Sequence, residues 1–294
     1  MAWFGKAVKA ATPAAAEGIV PAALPLPLDA SAFQRHFDAL LATAEKDGGI
    51  ESHLAALSAK VAAFSGLRER ARAAPPALDE LEPALALVFT ARRHLHPALE
   101  AIDAEAGRLV RELWFGATSP ERRLQQFVDA MPGAGSTDRA GIKAAAKLRR
   151  AAWDFAAELL HYGDPLRYPL MARWVWDQGT QSGALRELVR GSDSIRELPF
   201  GNEPGLFEGA RCWLAEQLAS RGIYRDEELW VDLVQAQAYL GYFRSMTEGS
   251  LGADFGRGVP PQEQLKRLLG IDAAPGERSD RVKKRQPAIH AEVH

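Results

Sequence analysis

Apolar residues recur along most of this chain at intervals of three and four, the period of one face of a helix. Phe33, Phe37, Leu40, Leu41 and Ala44 follow the capping residues Asp29 and Ser31 and stop at Gly48 and Gly49. Ile50, Leu54, Leu57, Val61, Phe64 and Leu67 draw a second stripe, which predicts a helical hairpin ended by Pro75 and Pro76. The period stays helical over 78–115, with breaks expected at Pro83 and Pro97 because each ring removes an amide donor. Ser119, Pro120 and Glu121 open another helix that runs to about Met131. After a glycine-containing turn at 132–136, Asp138 caps a long helix reaching about Leu160. Short helices are expected over 168–178, 184–189 and 262–269, and longer ones over 206–220 and 226–246.

No alternating polar and apolar run is long enough to support a strand, so the predicted class is all-α, a multi-helix, bundle-like domain. Residues 1–28, rich in Ala and Pro, read as a tethering leader, and 29–249 as the helical domain, with subdivision points near 75 and 192–204. Residues 250–294 read as a short helix and a flexible tail too poor in apolar side chains to repay ordering.

Composition narrows the function classes. The formal net charge of -2 gives no global argument for nucleic acid, so any affinity for polyanions must come from a local patch. Cys212 is the only cysteine, which excludes a disulfide within the chain, and a cytoplasmic location is expected. No apolar run has the length of a transmembrane segment. His94 and His96 diverge by about 200° on a helix, so no metal site is expected there, and no cofactor either. Gly133 and Gly135 lack the Gly-Lys-Ser/Thr of a phosphate loop. Trp3, Phe4 and Val8 with Lys6 and Lys9 form a short amphipathic stretch that suits contact with a partner or membrane surface.

Two adjoining segments carry the candidate chemistry. In the first, the 132–136 turn precedes Arg139, Lys143, Lys147 and Arg150, whose spacings of four, four and three place them on one helix face. Like charges so arranged repel unless anions or carboxylates meet them. The Pro-Gly-Ala-Gly turn is similar to the hairpin turn of helix-hairpin-helix modules, a resemblance that implies a grip on DNA phosphates. The second segment, 161–177, gathers His161, Tyr162, Asp164, Arg167, Tyr168, Arg173, Trp174, Trp176 and Asp177. It is loosely similar to the stretch after the hairpin in some glycosylase-like proteins. Met171 and Ala172 stand where those proteins place an aspartate after the Tyr-Pro pair, so the resemblance does not extend to their activity. Histidine near a carboxylate can move protons, while Arg and aromatic rings can hold a planar or anionic ligand.

No catalytic spacing is assigned. The expected function is that of a helical accessory or assembly factor acting on a macromolecule, with a protein partner first. Nucleic acid held by 132–150 and an enzyme pocket near 161–177 are the alternatives.

Overall fold

The computed structural model describes residues 18–133, 135, 137–248, 259–272 and 282–284. Among these residues the regular structure is helical, with only two isolated β-bridges, Leu28 with Val189 and Asp177 with Ser182. Helix α1 (Ala30–Glu45) starts where the Asp29 carboxylate accepts the Ser31 amide at 2.9 Å. Gly49, at φ 84°, turns the chain into α2 (Ile50–Ala73). Three shorter helices follow, α3 (Leu78–Ala86), α4 (His96–Ile102) and α5 (Ala104–Phe115). Ser119 caps α6 (Pro120–Asp129), and Asp138 caps α7 (Arg139–Gly163) by accepting the Gly141 amide at 2.8 Å. The chain continues through α8 (Ala184–Leu188), α9 (Pro204–Ala219), α10 (Glu227–Glu248) and α11 (Pro261–Leu269).

Three expectations change. Pro83 does not break α3, since the carbonyl that its missing amide would have bonded belongs to solvent-exposed Asp79. Pro97 lies in the first turn of α4, where an amide is unpartnered anyway, so the real interruption is the run of turns over 87–95. The helix expected over 168–178 does not form. Pro169 disfavours it, and side chains of α7 take the backbone groups it would need: His161 Nδ1 donates to the Tyr168 carbonyl at 2.7 Å, and Asp154 Oδ1 accepts the Arg173 amide at 2.9 Å.

Helix α10 is the hub, packing against α1, α2, α8, α9 and α11, while α7 packs against α2, α5 and α6. A single cluster of buried apolar side chains extends from Leu28 to Val282 and passes both subdivision points expected from composition. The described part of the leader also lies on this body. Residue Ala22 donates its amide to the Gly205 carbonyl at 2.8 Å, and its own carbonyl crosses α9 so closely that a Cβ on Gly209 would meet it at 2.2 Å. In the carboxy-terminal region, α11 is packed, Arg92 holds Asp272 in a two-pronged ion pair at 2.5 and 3.1 Å, and Lys283 donates its amide to Arg92. The amphipathic stretch at Trp3–Lys9 lies outside the described residues.

The deepest polar contact joins three helices. The wholly buried Lys60 ammonium of α2 donates to Glu158 Oε2 of α7 and to the Leu269 carbonyl at the end of α11, both at 2.6 Å, and lies 4.1 Å from the centre of the Tyr162 ring. Burial lowers the Lys60 pKa against the pull of Glu158, and raises that of Glu158 to about 7 against the pull of Lys60. A single Lys60→Met substitution leaves a buried carboxylate and a helix-end carbonyl without their donor. Unfolding by denaturant should show a loss of about 3–5 kcal/mol, with much of it regained when Glu158→Leu is added. A double variant no more stable than the single one would contradict this account.

Candidate anion-binding site

Helix α7 is divided along its length. None of its residues before Ala151 is buried, whereas Asp154, Glu158 and His161 are all buried beyond that point. Steps of four and three put these last three on one face, turned inward, and the exposed half carries Arg139, Lys143, Lys147 and Arg150.

Lys147 and Arg150 form one wall of a cavity of about 470 Å³. The turns over 87–95 supply Arg93 and His94, the irregular segment after Pro169 supplies Arg173, and α11 supplies Arg267. Five basic side chains, four of them Arg, therefore surround a cavity whose lining includes one carboxylate, Asp154. Arg173 is paired with Asp177, but among the described residues no carboxylate lies within ion-pair distance of Arg93, Lys147, Arg150 or Arg267. His94 reports the resulting field: burial, then the charges of Lys147, Arg93 and Lys283, hold its pKa below the usual value.

Asp154 lies at the bottom. Burial raises its pKa to about 6, with the Arg173 amide and guanidinium acting in the opposite direction. Beyond it is a second chamber of about 290 Å³ that shares Phe89, Thr90, Asp154 and Arg173 with the first. Its remaining walls are Trp174, Tyr239, Phe243 and Leu268, with Asp177, Thr180 and Ser182 as the polar part. On the other side, a hollow bounded by His94, Lys147, Pro132 and Gly133 carries the concave surface back to the turn before α7. The concavity thus extends from that turn, past the cations, to the aromatic chamber.

The residues singled out by sequence divide accordingly. Lys147, Arg150, Arg173, Trp174 and Asp177 line these cavities, while Arg139 and Lys143 extend the cationic stripe along exposed helix. The amino-terminal end of α7 is a poorer anion site than its glycine turn suggests, because the Asp138 carboxylate already occupies the Gly141 amide. His161, Tyr162 and Tyr168 line none of these cavities. They are packed in the interior, 1–2 % exposed. His161 bonds the Tyr168 carbonyl and, through Nε2, Asp232 Oδ2 at 2.9 Å; burial opposes its charge, yet Asp232 raises its pKa. Asp164 pairs with Arg68 at 3.1 Å, and Arg167 lies over the Tyr168 ring. Trp176 is buried against Phe200.

Sequence inspection passed over Glu158-Leu159-Leu160-His161, a Glu-x-x-His pair of the kind that binds metals in helical bundles. Both side chains are engaged, by Lys60 and by Asp232, and among the described residues no group of three His, Cys, Asp or Glu is placed to hold a metal ion. Arg93, His94, Arg267, Tyr239 and Asp154 were also missed. Only Asp154 left a trace in sequence, as one of two carboxylates, with Glu158, on the apolar half of α7.

The folded chain holds the Asp154 proton more tightly than the unfolded chain, whose pKa is near the ordinary 3.8. Stability from this group is therefore present in acid and is lost as pH rises from about 4 through about 6. Asp154→Asn should melt above the parent at pH 8, by the equivalent of about 2–3 kcal/mol, with the gap closing near pH 3.5. A gap of equal size at both pH values would contradict the burial argument. No family model, no curated protein and no solved structure matches this chain, so what can be said of its site comes from the geometry.

Proposed function

We propose that this chain binds a strand of nucleic acid through its phosphates, along the groove that crosses α7, and so works as a helical accessory or assembly factor. The observation that carries the reading is the ring of Arg93, Lys147, Arg150, Arg173 and Arg267 around one cavity in a chain of net charge -2. Unbalanced positive charge on this scale raises the free energy of the folded state through self-repulsion and is relieved by a bound anion. A polymer fits better than a single small ion. The cationic stripe continues beyond the cavity to Lys143 and Arg139, so that α7 presents charge over roughly 16 Å, the span of several phosphates. A protein partner has thinner support: the exposed large apolar side chains Val20, Leu41, Ile142, Leu166 and Tyr224 come from separate stretches of chain.

Anisotropy of a labelled single-stranded oligonucleotide, titrated over a series of salt concentrations, tests the reading. With the four cations that have no carboxylate partner among the described residues engaged, the plot of log K against log salt should fall with a slope of about -3. Lys147→Gln with Arg150→Gln should bring the slope to about -1.4, while Arg70→Gln with Arg72→Gln, on exposed α2, should not change it. No binding at low salt, or a slope indifferent to Lys147 and Arg150, would sink the proposal.

A further inference from the structure

We infer that the aromatic chamber beside the cation ring receives the base of a nucleotide unit whose phosphate the ring holds. This rests on the phosphate-binding reading above and adds to it the part of the ligand that phosphates do not specify.

The two cavities are separate compartments of one concavity, since Phe89, Thr90, Asp154 and Arg173 belong to both. Their chemistry changes across that shared wall. On one side the lining is dominated by guanidinium and ammonium groups, and on the other by Trp174, Tyr239, Phe243 and Leu268. A ligand that satisfies both must be anionic at one end and planar and weakly polar at the other, within a reach set by one shared wall. A nucleotide has this build.

The polar groups of the chamber suit a base edge. Asp154 and Asp177 offer carboxylate oxygens to exocyclic amino groups, and Thr180 and Ser182, whose hydroxyls bond each other at 2.7 Å, keep one donor and acceptor capacity between them. Trp174 is nine-tenths buried, its ring 6.2 Å from that of Tyr239, and its indole N–H meets no acceptor among the described residues. The chamber volume of about 290 Å³ is near the lower end of small-ligand pockets and leaves no room for a stacked duplex, so the base must come from an unpaired strand or a free nucleotide.

The test compares an oligodeoxycytidine, whose bases carry an exocyclic amino group, with a fully abasic strand of equal length and phosphate count. The intact strand should bind about tenfold more tightly at an unchanged salt slope, because stacking on aromatic rings does not depend on counterion release. Thr180→Trp, which fills the chamber from its exposed rim, should abolish that tenfold difference, and Ser182→Phe, next to it on the same wall, should do the same if the first variant misfolds. Adenosine monophosphate should displace the intact strand at concentrations where inorganic phosphate does not, which extends the site to free nucleotides. Equal affinity for the two strands, or displacement by phosphate and adenosine monophosphate alike, would overturn the inference while leaving the phosphate grip intact. Failure of both strands to bind would overturn the grip itself, and the base chamber with it.

Discussion

The fold depends on keeping a charged lysine out of water. Lys60 is wholly buried in α2, and an ammonium in such surroundings is tolerated only when every donor finds a partner. Its partners are the Glu158 carboxylate, the last carbonyl of α11 and the face of Tyr162. These contacts tie three helices together, because a shift of one turn along α7 would break the bond to Glu158 and a shift along α11 the bond to the Leu269 carbonyl. The His161–Asp232 bond adds α10 to the same layer. The apolar core supplies most of the free energy of folding, while this polar layer decides which of several similar packings is adopted.

Helix α7 connects that layer to the candidate site. Its inward ladder of Asp154, Glu158 and His161 anchors one half, so the other half can remain exposed with its cationic stripe. Asp154 belongs to both regions, as the last polar group of the ladder and the floor shared by the two cavities. The elevated pKa of Asp154 is a consequence of that position: burial disfavours its charge on one side while Arg173 favours it on the other.

Much of the fold was legible in the sequence, because amphipathic periods and caps are local. Asp29, Ser119 and Asp138 cap their helices as read, and Leu54, Leu57, Phe64 and Leu67 of the expected stripe are buried on α2, where Lys60 rather than the half-buried Val61 completes the seam. The helix expected over 168–178 failed for a non-local reason, since its backbone groups bond to side chains of α7. Lys147, Arg150 and Arg173 could be nominated from spacing or local density. Arg93, His94, Arg267 and Tyr239 could not, as they lie on three separate stretches of chain and only the packing of α11 and α10 against the 87–95 turns brings them together. Density also misled. The segment 161–177 is rich in titratable and aromatic side chains, but composition does not distinguish a cavity wall from a core, and His161, Tyr162 and Tyr168 belong to the core.

The contact between Lys60 and the end of α11 joins residues 209 positions apart. Arg267 reaches the cation ring on that same helix, so a growing chain has no complete ring until its last described helix has left the ribosome and docked. During synthesis the earlier cations are present but unassembled, and the partly made protein offers an anion only scattered charge. Assembly of the candidate ring is thereby deferred until α11 has been made, after every other element that lines it.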